Sequence, residues 1–157
     1  MARVILATGL VFVFFLFGLL QYFKYNDITA FAQIDWSQFA NYYLRFDAAG
    51  GGWSTYELSL FFTIFVMLQF WNMFNAKAFA SGGSAFKSLK QSRGFVGVGL
   101  LIIVGQILIV TFGGEMFSTT ALSVDDWWQT ILATSVVLVV GELARLIFAV
   151  SKKSKNV

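Results

Sequence analysis

The chain has 157 residues, of which 58% are hydrophobic and only 12% are charged, and its mean hydropathy is +0.74. A soluble domain carries about 25% charged residues, so there is too little polar surface here to cover a globule, and an integral membrane protein is expected. With neither Cys nor His, disulfides, thiolate or imidazole metal sites and Ser–His or Cys–His nucleophile pairs are excluded; eleven basic against eight acidic residues give a net charge of only +3, and nucleic acid is not indicated as a partner.

The first apolar run, residues 4–23, follows Arg3 and holds no charge. Its twenty residues span about 30 Å as a helix, the thickness of the hydrocarbon core. The alternative is a signal peptide cleaved near Ala30-Phe31-Ala32. However, the run is longer than a signal core of roughly 7–15 residues, and Ala32 lies beyond Lys24 and Asp27.

Between Lys24 and Glu57 lie two basic and four acidic residues. Asp35 with Gln38 resembles a helix N-cap pair, and Trp36, Phe39, Tyr43 and Phe46 recur at helical spacing until Gly50-Gly51-Gly52. The pattern fits a short interfacial helix over residues 36–46, or equally an aromatic loop packed on the ends of the spans. Trp53 and Tyr56 suit an interfacial belt.

The second span, residues 58–76, carries Gln69, Asn72 and Asn75. At 100° per residue the three amides share a sector about 120° wide. Amides in hydrocarbon are costly without a partner, so this side of the helix is expected to face protein or a site. Interhelical hydrogen bonds are one role for them and ligation of an ion is the other. Ser81-Gly82-Gly83-Ser84 then opens a flexible connection, in which Lys77, Lys87, Lys90 and Arg93 meet no acid.

The third span, residues 94–112, has Gly94, Gly97, Gly99 and Gly105 for close helix approach, and Gln106 as its one strongly polar interior residue, suited to an interhelical hydrogen bond. The next connection carries Glu115, Asp125 and Asp126 without a base, and Ser123 with Asp126 reads as a capping box. The fourth span, residues 128–150, holds Glu142 and Arg145 at i,i+3, where they can pair. Arg145 can also snorkel toward the end of the span, and Lys152, Lys153 and Lys155 follow. The second connection and the tail are thus basic while the first and third connections are acidic. The positive-inside rule then gives an all-α polytopic protein with four transmembrane helices and both termini cytosolic.

The stretch from Phe61 onward resembles P-type calcium-transporting ATPases. Phe62, Phe65, Val66, Gln69, Asn72, Asn75, Ala76 and Lys77 fit the pattern of their eighth membrane helix. Gln106-Ile107-Leu108-Ile109-Val110, Phe112-Gly113-Gly114 and Phe117-Ser118 are similar to the end of the ninth helix and its loop, and Leu122, Asp126-Trp127 and Gly141-Glu142-Leu143 to the tenth. The first span would then be the seventh. The resemblance is nearest to the plasma-membrane type, bacterial relatives included. It implies that residues 1–157 are one C-terminal membrane domain, whose partners are the lipid bilayer and the remaining helices and cytosolic domains of the ATPase. In the sarcoplasmic-reticulum type a calcium-binding carboxylate stands at the position of Gln69. The resemblance therefore makes Gln69 a neutral amide beside the ion path, while the residues themselves make Asn72, Asn75, Gln106, Glu142 and Arg145 structural polar residues.

The family's phosphorylated Asp-Lys-Thr-Gly-Thr motif, its Thr-Gly-Glu loop and its nucleotide domain do not occur in these residues. No catalytic or cofactor-binding residue is therefore expected in this chain, while the parent pump is expected to use ATP, magnesium and calcium. A truncated gene, an excised fragment and half of a split protein all fit that expectation. An accessory or scaffold subunit and an independent oligomeric cation transporter or channel are the other readings. The absence of Cys, of a targeting segment and of a long regulatory tail points to the inner membrane of a bacterium.

Overall fold

The computed structural model describes residues 2–47, 50–81, 84, 86, 89 and 92–154. Gly82 and Gly83, and the basic residues Lys87, Lys90 and Lys155, lie outside the described residues, and the expectation of a flexible connection there falls outside them too.

Five α-helices account for most of the described chain: α1 (Ala2–Tyr25), α2 (Thr55–Ser81), α3 (Arg93–Phe112), the single turn α4 (Gly114–Phe117) and α5 (Val124–Ser154). Four of them, α1, α2, α3 and α5, are long and apolar enough to cross a membrane. Each begins or ends up to five residues outside its apolar run, because a helix stops where its terminal N–H and C=O groups find other partners and not where hydrophobicity fades. At α5 the capping box forms: Ser123 Oγ accepts the Asp126 N–H (3.1 Å), and Asp126 Oδ2 accepts the Ser123 N–H (3.3 Å) and hydroxyl (2.7 Å). The same device starts α2. Ser54 Oγ accepts the Glu57 N–H (3.2 Å) and Glu57 Oε2 accepts the Ser54 N–H (2.7 Å).

α2 is the hub. It packs against α1, α3 and, most extensively, α5. Gln106 of α3 meets Thr63 while Gly99 meets Phe70 and Met73, so α3 runs antiparallel to α2. Trp71 meets Thr134 while Asn75 meets Val137, so α5 runs parallel to it. The end of α1 therefore shares one end of the bundle with the starts of α2 and α5. Seven of the eight acidic residues, all but Glu142, lie in or beside that end. Here it is called the acidic end, and the opposite one the basic end.

The connection after α1 does not form a helix over residues 36–46. It contains two short 3-10 helices, Phe31–Gln33 and Phe39–Tyr42. Asp35 accepts the N–H and hydroxyl of Ser37 (2.9 and 2.6 Å), which hold its carboxyl below the usual range and close a tight turn in place of a helix start. The aromatic spacing reports contact with α1. Trp36 stacks on Phe15, Phe39 packs against Phe15 and Tyr22, and Tyr22 meets the edge of Tyr42. Tyr43 lies over Gly18, where a Cβ would collide with its ring, and donates to the Phe14 carbonyl (2.9 Å). Phe14 precedes the end of α1 by eleven residues, about 16 Å along the axis, so this strap folds back down the helix.

Two carboxylates hold the strap's root. The second oxygen of Glu57 accepts the Ile28 N–H (3.0 Å), and that of Asp126 accepts the Phe31 N–H (2.8 Å). Both residues are buried. Replacing Asp126 with Ala is expected to orphan the Phe31 N–H as well as the α5 cap, with a loss of roughly 1–3 kcal/mol for the buried donor and about 1 kcal/mol for the cap. Its neighbour Asp125 is exposed, and Asp125→Ala should stay within about 0.5 kcal/mol. Tryptophan-fluorescence unfolding in detergent measures both; equal losses would mean that the clasp contributes nothing.

Candidate functional site

Sequence spacing puts Gln69, Asn72 and Asn75 in one sector of α2, but a 120° sector is wide enough to face two different surroundings. The structure separates them. Asn75 points at α5, where its Nδ2 donates to the Val137 carbonyl (2.9 Å) and its Oδ1 accepts from both terminal nitrogens of Arg145 (3.3 Å each). Gly141 makes room for this contact, since a Cβ there would collide with the Asn75 amide.

Arg145 also pairs with Glu142 (Nη2–Oε1 3.1 Å), one turn earlier on the same helix, and the Ser84 hydroxyl donates to the same carboxylate oxygen (3.1 Å). Asn75, Arg145, Glu142 and Ser84 thus form one polar network between α2, α5 and the connection that follows α2. It lies at the basic end, and Glu142 and Arg145 are mostly buried there. Charge-assisted bonds of this kind are stronger than neutral ones, and each charge has its counter-charge at hand, which lowers the cost of holding both in a helix at membrane depth. The Arg145 Nε is buried without a hydrogen-bond partner among the described residues.

Gln106 is also turned inward. It is buried, and its Nε2 donates to Thr63 Oγ1 (3.1 Å). Thr63 in turn donates to the Ser59 carbonyl, and Ser59 Oγ accepts the Thr120 N–H (2.7 Å). A file of small hydroxyls on α2 therefore ties down α3 and the connection that follows α4.

Gln69 is exposed and Asn72 half-buried, and neither has a hydrogen-bond partner among the described residues. The site residues therefore divide into two sets. Asn75, Gln106, Glu142 and Arg145 are engaged within the bundle, whereas Gln69 lies exposed on its outside and the half-buried Asn72 joins neither set of contacts. Among the described residues no three of His, Cys, Asp and Glu are grouped to hold a metal ion. An amide oxygen is a hard ligand but a neutral one, weaker for calcium than a carboxylate. Sequence reasoning missed Glu57, although Ser54-Thr55-Tyr56-Glu57 is the same capping pattern as Ser123 to Asp126.

The protein family described as "Cation transporting ATPase, C-terminus" matches residues 1–147. Calcium-transporting ATPase PAT1 of Dictyostelium discoideum is 34% identical over 92 residues, which are 59% of this chain and 8% of that protein. Plasma membrane calcium-transporting ATPase mca-1 of Caenorhabditis elegans is 32% identical over 91 residues, 58% of this chain and 7% of that protein. Plasma membrane calcium-transporting ATPase 1 of Homo sapiens is 32% identical over 85 residues, 54% and 7%. The chain thus spans less than a tenth of the length of these relatives. No solved structure matches it. With a family match across almost its full length and four helices fit to cross a membrane, the chain belongs to the family of cation-transporting ATPase C-terminal domains.

Proposed function

We propose that this chain is the C-terminal membrane bundle, the seventh to tenth membrane helices, of an ATP-driven calcium pump of the plasma-membrane type. In this reading it supports the ion-transport core and has no catalysis of its own. Family membership and the names of the relatives support the calcium assignment. Gln69 carries the rest: it is an unpartnered amide in the middle of a span, on a face the bundle leaves open. Such a group at membrane depth needs a polar partner from outside these four helices, and the core of the pump supplies one. Gln69 then sits beside the ion path, contributing an amide and not a carboxylate, while Asn75, Gln106, Glu142 and Arg145 hold the support together.

The parent pump's ATP, magnesium and calcium bind outside this bundle, and its partners are the bilayer, the remaining helices and the cytosolic domains. The basic end faces the cytosol by the positive-inside rule. The three relatives named above are eukaryotic. They lend no support to the bacterial inner membrane expected from the sequence, and the proposal stops at an integral membrane location.

In an intact pump carrying this bundle, Gln69→Leu is expected to lower ATP-driven calcium uptake several-fold. Gln106→Leu removes an interhelical bond of about 0.6 kcal/mol and should leave uptake near wild type. Equal effects in a vesicle uptake assay would reduce Gln69 to a packing role. Arg145→Met removes a counter-charge from the mostly buried Glu142 and should lower the unfolding temperature of the bundle while leaving calcium affinity in the pump unchanged; a shifted affinity would put Arg145 at the ion path. The purified chain in liposomes should neither hydrolyse ATP nor pass calcium, whereas flux without ATP would favour an independent channel.

A further inference from the structure

The first span ends at Tyr25 and the second starts at Thr55. Residues on either side of these two borders therefore lie at the level of the lipid headgroups. There the end of α1 and the start of α2 enclose a polar cleft of about 460 Å³. Gly51, Gly52 and Ser54 line it and are exposed, so it is open to the membrane surface at the acidic end.

Much of its polar lining is already engaged. Glu57 caps α2 and holds the Ile28 N–H, Asn26 Nδ2 donates to the Tyr22 carbonyl (2.8 Å), and Trp53 Nε1 donates to the Leu20 carbonyl (3.0 Å). Two opposite charges are not engaged in this way. Lys24 and Asp27 both line the cleft, and among the described residues neither makes a hydrogen bond or an ion pair through its side chain. They stand three residues apart, a spacing at which a helix can pair them, but α1 ends at Tyr25 and Asp27 has left its face. The Lys24 stem lies against Gly50, where a Cβ would collide with its Cγ and Cε, and its ammonium sits over the Tyr25 ring (5.3 Å).

The pair of charges decides what fits. A simple anion would meet Asp27, and a metal cation would meet Lys24. A zwitterion answers both at once. A phosphate diester accepts a charge-assisted hydrogen bond from the Lys24 ammonium, and an ammonium donates one to the Asp27 carboxylate. A primary ammonium has three N–H donors for such an acceptor, whereas a trimethylammonium has none.

We propose that this cleft binds the headgroup of phosphatidylethanolamine from the leaflet at the acidic end, with its phosphate on Lys24 and its ammonium on Asp27. The site rests on the embedding of the bundle in a membrane and not on the calcium assignment.

Native mass spectrometry of the full chain in detergent, titrated with phosphatidylethanolamine or with phosphatidylcholine of the same acyl chains, tests the site. The unmodified chain should retain phosphatidylethanolamine several-fold more strongly. Asp27→Asn should bring the two lipids to equal retention, and since Asp27 is exposed and holds no other group, this variant should fold. Lys24→Met keeps a stem against Gly50 and should weaken both lipids alike. Asp125→Asn, at an exposed acid of the same end, should change nothing. Equal retention of the two lipids by the unmodified chain overturns the proposal, and that outcome requires no substitution. A preference that survives Asp27→Asn, or one that Asp125→Asn also abolishes, overturns it as well. Excess soluble glycerophosphoethanolamine should not displace the lipid; displacement would assign the cleft to a soluble zwitterion instead.

Discussion

At the acidic end of the bundle, two buried carboxylates divide their oxygens between two tasks. One oxygen of Glu57 and one of Asp126 cap the helices on which they stand, where the first-turn N–H groups have no partner within the helix and the helix dipole favours negative charge. The other two oxygens reach across to the N–H groups of Ile28 and Phe31. Backbone donors at the edge of a membrane are costly when bare. The connection can therefore lie back over α1 only because α2 and α5 start beside it, with acids at the third position after their caps. Three of the four spans are brought into register at this end by the pair.

Further down, α2 holds its neighbours by a different means. Apolar surface gains little by leaving lipid for another apolar surface, so helices in a bilayer associate through close packing and hydrogen bonds. The glycines that matter are those that admit a partner's side chain, Gly99 under Phe70 and Met73 and Gly141 against Asn75. The remaining glycines of α3, Gly94, Gly97 and Gly105, face open space. The hydroxyls of Ser59 and Thr63 first satisfy carbonyls of their own helix and then accept from the next segment. Polar atoms inside the bundle thus join helices without leaving backbone groups bare.

Much of this was legible in the residue order. Long uncharged runs located the four spans, Ser123 and Asp126 announced the start of α5, and Glu142 with Arg145 announced a pair, because these signals act within one or two turns of one helix. The strap was not legible. Trp36, Phe39, Tyr43 and Phe46 have helical spacing, yet they serve a surface on α1 whose position depends on folding, and Gly18, which admits Tyr43, lies far away in sequence. The partition of the amides was hidden for a similar reason. Gln69 and Asn75 share a sector of α2, but only the placement of α5 turns one inward and leaves the other outside. Glu57 escaped notice because the apolar run begins at Leu58, which drew the start of the span past its own cap.

The strap also gives the bundle a direction in the bilayer. Over the half nearer the acidic end, α1 carries a second layer of aromatic rings, from Trp36 to Tyr43, and among the described residues no ring of the strap packs on it below Phe14. Around α1, the strap therefore thickens the half nearer the acidic end. Lipids beside α1 thus meet two different surfaces, the ring edges of the strap nearer the acidic end and the helix's own side chains beyond it.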